Sequence, residues 1–237
     1  MTHVLEFDSI RLSYGERVML SDIFMRCETG KITALLGRNG QGKTCLFKIV
    51  YGELESQDKS IRFDGVPIAQ PFSRPDLLKY LPQFNYIPNF LRLRRVFKDA
   101  ELDFGEFADR FPEFSSKLDQ RVRNLSGGER RFLETYIILK SKTQFVILDE
   151  PFTHLMPLQI EKITQLVIEE KVNKGILITD HMYTEILNIA DNAYVLTNGK
   201  AHILNNNMEL EKFGYIPPIV KVDLDHSITP PLGISPG

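Results

Sequence analysis

KITALLGRNGQGKTCLFKIVYG, residues 31 to 52, passes from a continuous apolar run through a glycine-rich loop into an apolar-rich stretch with helical spacing. The order is strand, loop, helix. Within it, Gly37 to Thr44 fits G-x-x-x-x-G-K-[ST], the pattern of a phosphate-binding loop. Its glycines let successive backbone N–H groups converge on phosphate oxygens, and the helix that follows offers its positive end to the same anion. Lys43 adds a point charge, and the Thr44 hydroxyl is suited to ligate Mg²⁺. The bland alternative, a glycine turn ahead of a helix, is disfavoured by the rarity of the pattern and by the strand and helix that flank it. Gly37, Asn39, Gly40, Gln41, Gly42, Lys43, Thr44 and Cys45 are therefore the phosphate- and nucleotide-binding candidates.

Upstream, the short β-prone runs VLEF, IRLSY and RVML precede KITALL and are broken by turns at Tyr14-Gly15-Glu16 and Glu28-Thr29-Gly30, which reads as a small meander. A further hairpin is expected around Phe63-Asp64-Gly65. Residues 84 to 124 change character, with aromatics, Pro88, Pro112 and the helical stretch FGEFADRF but no β alternation. They read as a helical insertion, bounded at about 84–134. Beyond it the order is helix (about 127 to 140), strand FVIL, helix (about 157 to 171), strand ILIT, helix (about 183 to 190) and strand AYVL. Continuous apolar strands alternating with helices indicate a parallel sheet covered on both faces. Asn198-Gly199 then marks a two-residue hairpin.

The expected fold class is thus α/β: a P-loop NTPase, RecA-like parallel-sheet core with an N-terminal antiparallel β-subdomain and a small inserted helical subdomain. Residues 1–214 form the domain. Residues 215–237, with five prolines, read as an extended or disordered tail.

A net charge of −2 and a pI near 6.2 disfavour a general nucleic-acid or membrane-surface binder. No apolar run approaches the roughly 20 residues needed to span a bilayer. Two cysteines, Cys27 and Cys45, without an N-terminal signal-like apolar region, fit a reducing cytosolic compartment.

A phosphate loop needs a carboxylate opposite it, and FVILDE supplies one, since the C-terminal end of a neighbouring parallel strand faces the ligand crevice. Asp149 would hold Mg²⁺ and Glu150 would polarise the attacking water. Ser126-x-x-Glu129 reads as a capping box opening the next helix. That does not account for Gly127 and Gly128 in the first turn, where each costs up to about 1 kcal/mol relative to alanine; bare backbone there suits the approach of an anion.

Leu125-Ser126-Gly127-Gly128-Glu129 resembles the signature motif of the ATP-binding cassette (ABC) ATPases, and four further motifs of that family stand in order: GRNGQGKT as Walker A, Gln83 in YLPQF as the Q-loop, FVILDE as Walker B and His181 in ITDH as the switch histidine. Tyr14 resembles the aromatic that stacks on adenine, with an exposed turn aromatic as the alternative. His154 matches no motif.

The resemblance implies an ATP hydrolase working as a head-to-tail pair of cassettes, most simply a homodimer, with ATP and Mg²⁺. Glu150 is then the general base, and His181, Gln83 and Lys43 act with it. Thr44, Gln83 and Asp149 surround the metal, while Ser126, Gly127 and Gly128 of one chain close over the nucleotide of the other. It also implies a separate membrane permease, docking near the cluster Phe84, Tyr86, Ile87, Phe90 and Leu91, and a location on the inner face of the cell membrane. No nucleic-acid partner is expected. The basic run Arg92-Leu93-Arg94-Arg95 reads as a solvated face. Motif wording is closest to lipopolysaccharide-export and branched-chain amino-acid cassettes, and the alternative is a soluble assembly ATPase of the iron–sulfur type. One departure stands out: Met156 occupies the place of the D-loop aspartate, so that either a carboxylate link between the two sites is lost or an apolar interface contact replaces it.

Overall fold

The computed structural model describes residues 2–206 and 209–213; the proposed tail at 215–237 and the boundary at 214 lie outside the described residues. Two long strands come first, β1 (Val4–Tyr14) and β2 (Arg17–Glu28). The two runs VLEF and IRLSY join into one strand, interrupted where Ser9 takes a left-handed φ of 55° and the register shifts between Asp8 and Ile10. The bulge lets one strand serve two hydrophobic runs of different phase. The β1–β2 ribbon pairs with β4 (Asp58–Phe63) and β5 (Val66–Pro67) in an antiparallel sheet of order β2-β1-β4-β5. The β4–β5 turn falls at Asp64-Gly65, with φ of 50° and 78°, the paired positive values of a tight hairpin.

KITALL belongs to a second sheet. Strand β3 (Ile32–Leu36) leads through the loop into α1 (Lys43–Tyr51). Strands β6 (Leu78–Leu81), β7 (Phe145–Asp149), β8 (Gly175–Thr179), β9 (Asn192–Thr197) and β10 (Lys200–Ile203) complete it, in the order β10-β9-β3-β8-β7-β6. All pairs are parallel except the β9–β10 hairpin. Strands β3, β7 and β8 are buried at every position, as expected of parallel strands covered on both faces. One face packs with α1 and the antiparallel sheet through Leu46, Phe47, Phe7, Met25 and Ile147. The other packs against α4 (Gly127–Lys140) and α5 (Pro157–Glu170).

Between β6 and α4 lies the helical insertion, with α2 (Leu93–Asp99) and α3 (Phe104–Arg110). The basic run begins α2: Arg94 pairs with Asp119 at 3.0 Å and Arg95 with Asp99 at 2.8 Å, while Leu93 turns inward, fully buried. Short helices α6 (Tyr183–Leu187) and α7 (Glu209–Lys212) close the described chain.

The insertion has an aromatic core of its own. Phe107 is fully buried, and the rings of Phe97, Phe111, Phe114 and Tyr136 lie 4.6–5.3 Å from it. Tyr136 is on α4, so the same cluster glues the insertion to the main domain. We expect Phe107→Ala to lower stability by about 3–5 kcal/mol in urea unfolding, with loss of the insertion's protection from hydrogen exchange ahead of the sheet's.

Candidate functional site

The loop after β3 is shaped by two glycines in particular. A Cβ on Gly37 would lie 2.8 Å from the Leu196 carbonyl, so only glycine fits against β9. Gly42, at φ 101°, turns the chain into α1, a conformation open to glycine at little cost. Lys43 folds back across the loop and its Nζ donates to the Gly37 carbonyl at 2.6 Å. Burial pulls the Lys43 pKa down, opposed by the charges of Glu150, Asp149 and Asp180.

Strand β7 delivers the carboxylates. Asp149 is fully buried; its oxygens accept from the Thr44 hydroxyl at 3.3 Å and from the Tyr80 hydroxyl at 3.0 Å. Burial nevertheless raises its pKa above the ordinary carboxylate range. Glu150 sits just beyond the strand with φ 54°, a left-handed conformation that costs a non-glycine residue on the order of 1 kcal/mol or more. Its side chain accepts from Gln83 Nε2 at 2.9 Å and from the Thr153 hydroxyl at 3.3 Å.

Asn39, Gly40, Gly42, Lys43, Thr44, Cys45, Gln83, Glu150 and His181 line one cleft of about 370 Å³, with Met19 on its wall. Gly37 lies buried beneath it. Gln41 turns aside, its side chain accepting from the Asn198 N–H at 3.1 Å. Tyr14 stands at the end of β1, half exposed, with its hydroxyl against the Cys45 thiol; that neighbour first, then burial, raises its pKa. The ring is beside the loop but does not line the cleft.

The donor set suits a small hard cation. Thr44, Asp149 and Gln83 offer oxygens, and among the described residues there is no cluster of three or more His, Cys, Asp or Glu able to hold a metal unaided. Mg²⁺ is commonly held in this way, by few protein oxygens together with water and substrate phosphates.

Three further residues, left without a role by the motif assignments, serve the site; two of them stand inside motif stretches, Tyr80 in YLPQF and Asp180 in ITDH. Tyr80, on the short edge strand β6, partners Asp149. Asp180, 1% exposed, accepts from the Phe152 and Met182 N–H groups at 2.8 and 3.1 Å and faces His181 Nδ1 at 3.0 Å. It thereby orients the imidazole with Nε2 outward. Arg131, 2% exposed, donates to the carbonyls of Pro82, Asp149 and Glu150. Arg130 and Arg131 directly follow the signature stretch, and only the second is buried.

Ser126, Gly127 and Gly128 lie outside the cleft. Ser126 caps α4 reciprocally with Glu129, at 3.2 and 2.9 Å. The second glycine has a packing cause: a Cβ on Gly128 would meet the His154 carbonyl at 2.7 Å. The first has none, its nearest neighbour being 3.9 Å away. Only Gly127 thus remains without a packing explanation. Accordingly, Gly128→Ala should destabilise the chain by about 1–3 kcal/mol in thermal or urea unfolding. Gly127→Ala should leave stability within about 0.5 kcal/mol of the parent.

Residues 20–153, more than half the chain, match the family model described as ABC transporter. The lipopolysaccharide export system ATP-binding protein LptB of Acidithiobacillus ferridurans is 32% identical over 89% of this chain and 93% of its own length. LptB of Haemophilus influenzae is 30% identical over 83% and 88%. The high-affinity branched-chain amino acid transport ATP-binding protein BraG of Pseudomonas aeruginosa is 28% identical over 83% and 90%. Among solved structures, the ATP-binding subunit of an ABC transporter superposes with a TM-score of 0.76 at 24% identity, covering 89% of this chain and 93% of that one, which shows the shared fold. The chain belongs to the ABC transporter family as an ATP-hydrolysing, ATP-binding subunit.

Proposed function

We propose that this subunit hydrolyses ATP with Mg²⁺ in a head-to-tail pair with a second cassette, to drive transport by a separately encoded permease on the inner face of the cell membrane. The observation that carries the reading is the separation of two half-sites. Lys43, Thr44, Glu150, Gln83 and His181 line one cleft, with Asp149 buried behind Thr44, while Ser126, Gly127 and Gly128 are not part of its lining. A second copy, most simply of the same chain, would complete each site.

In this reading the loop amides and Lys43 hold the phosphates, and Tyr14 stacks on the base. Asp149, Thr44 and Gln83 hold the cation, which when bound offsets the charge of the transferring phosphoryl group. Glu150 accepts a proton from the attacking water, and its hydrogen bond to Gln83 aims it. His181 directs Nε2 toward the cleft because Asp180 engages Nδ1. Catalysis is then chiefly positioning and electrostatics.

A permease is also supported by the apolar surface beside the Q-loop. The sequence cluster divides: Ile87 is buried and Tyr86 and Leu91 pack inward, while Phe84 and Phe90 are 57% and 68% exposed. A groove of about 360 Å³ lies beside them, lined by Tyr86, Ile87, Leu91, Val96 and Ile138. Among the described residues no helix is long and apolar enough to cross a membrane. Relatives named for lipopolysaccharide export and for branched-chain amino-acid transport both match this chain, so we assign cargo choice to the permease.

Met156 is 70% exposed and begins α5, where its N–H donates to the Gln159 side chain at 3.0 Å. A thioether has no carboxylate to reach across a pair of cassettes.

Glu150→Gln should bind ATP, accumulate as a dimer by size-exclusion chromatography and lose turnover by about 100-fold or more. Turnover near the parent's would remove Glu150 as the base. Met156→Asp should raise the Hill coefficient for ATP by restoring a carboxylate link. An unchanged coefficient favours Met156 as an apolar interface contact.

A further inference from the structure

Glu150 is held at every point of its backbone. Its N–H donates to the Thr179 carbonyl at 2.8 Å, and its own carbonyl accepts two bonds from Arg131, from Nε at 3.2 Å and from one terminal nitrogen at 3.0 Å. That terminal nitrogen also reaches the Asp149 carbonyl, and the other donates to the Pro82 carbonyl at 2.7 Å. Pro82 precedes Gln83, the residue bonded to the Glu150 carboxylate at 2.9 Å. One guanidinium therefore spans the two segments whose side chains, Glu150 and Gln83, meet in that hydrogen bond.

Every hydrogen-bond acceptor of Arg131 is a main-chain carbonyl, and the side chain is 2% exposed. A planar fork with five fixed donors can grip three carbonyls in one plane, which a lysine cannot do. The bridge begins on α4, about one turn beyond the signature residues. A tilt of that helix would act on the base and the Q-loop together.

We propose that Arg131 is a positioning residue for ATP hydrolysis, fixing Glu150 in its left-handed backbone conformation and in register with Gln83. This rests on Glu150 being the base. Arg131 does not line the cleft and works through the loops it joins. Misplacement of a catalytic group by about 1 Å costs on the order of 100-fold in rate.

The test compares the full-length parent with Arg131→Lys and Arg131→Met for kcat, KM for ATP, equilibrium ATP binding and thermal melting. We expect Arg131→Lys to lower kcat by about 10- to 100-fold with KM and ATP affinity within about threefold, the signature of an interaction that acts on the transition state. Arg131→Met should fall further in kcat and melt lower. Should Arg131→Met fail to fold, the lysine variant carries the test. In a Gln83→Ala background Arg131→Lys should cost markedly less, since both act on one carboxylate. A lysine variant with kcat within about twofold of the parent would overturn the proposal. So would a kcat loss matched by lost ATP binding, or full additivity with Gln83→Ala. Active Glu150→Gln would refute the base assignment, whereas inactive Glu150→Gln beside fully active Arg131→Lys would refute the role of Arg131 alone.

Discussion

A carboxylate buried at the end of a strand governs the arrangement of this molecule. Asp149 has no exposed surface, and an ionised group in that position is costly unless it is satisfied. Two hydroxyls answer it, Thr44 from α1 and Tyr80 from β6. For both to reach it, β7 must lie between the edge strand and the interior of the sheet, and the phosphate loop must return its helix to the same end. The observed order β3-β8-β7-β6 meets that requirement. The raised pKa that burial imposes on Asp149 leaves a group ready to gain from a cation.

Three further charges near the cleft, Lys43, Arg131 and Asp180, are held in the same way. Burial pulls both Lys43 and Arg131 toward neutrality; the charges of Glu150, Asp149 and Asp180 oppose this at Lys43, and those of Glu134, Asp149, Asp180 and Glu150 at Arg131. Arg131 spends its donors on main chain, Asp180 its acceptors on the amides of Phe152 and Met182 and on His181. The cleft is thus braced by Arg131 and Asp180, which do not line it. The signature turn, by contrast, is left open toward solvent at Gly127. This asymmetry, a braced half-site and a bare one on the same chain, is what the proposed pairing of cassettes explains.

Much of this was legible in the sequence because the chemistry is local. GRNGQGKT joins strand, loop and helix in eight contiguous residues, and FVILDE places two carboxylates at a strand end by length alone. Helices α4 and α5 announce themselves through Ser126-x-x-Glu129 and Pro157. What stayed hidden depends on distant partners. The strand Leu78–Leu81 is four residues long and exists because β7 pairs with it; α2 was masked by its arginines, although Leu93, Val96 and Phe97 form its buried face. Tyr80 and Asp180 stand inside the Q-loop and switch stretches and Arg131 just after the signature, but their roles are not legible there, since their partners lie elsewhere in the chain or on its backbone. Gly128, whose bare backbone suits the approach of an anion, has in addition a packing cause in the His154 carbonyl that no local pattern shows.

The claim on which the account depends is that one chain holds half of each catalytic site. It is tested most directly by measuring ATPase activity per chain while the protein is diluted, alongside its sedimentation. The account predicts specific activity that falls as the paired species disappears and plateaus where pairing is complete. Specific activity that stays constant in a fully monomeric sample would contradict it.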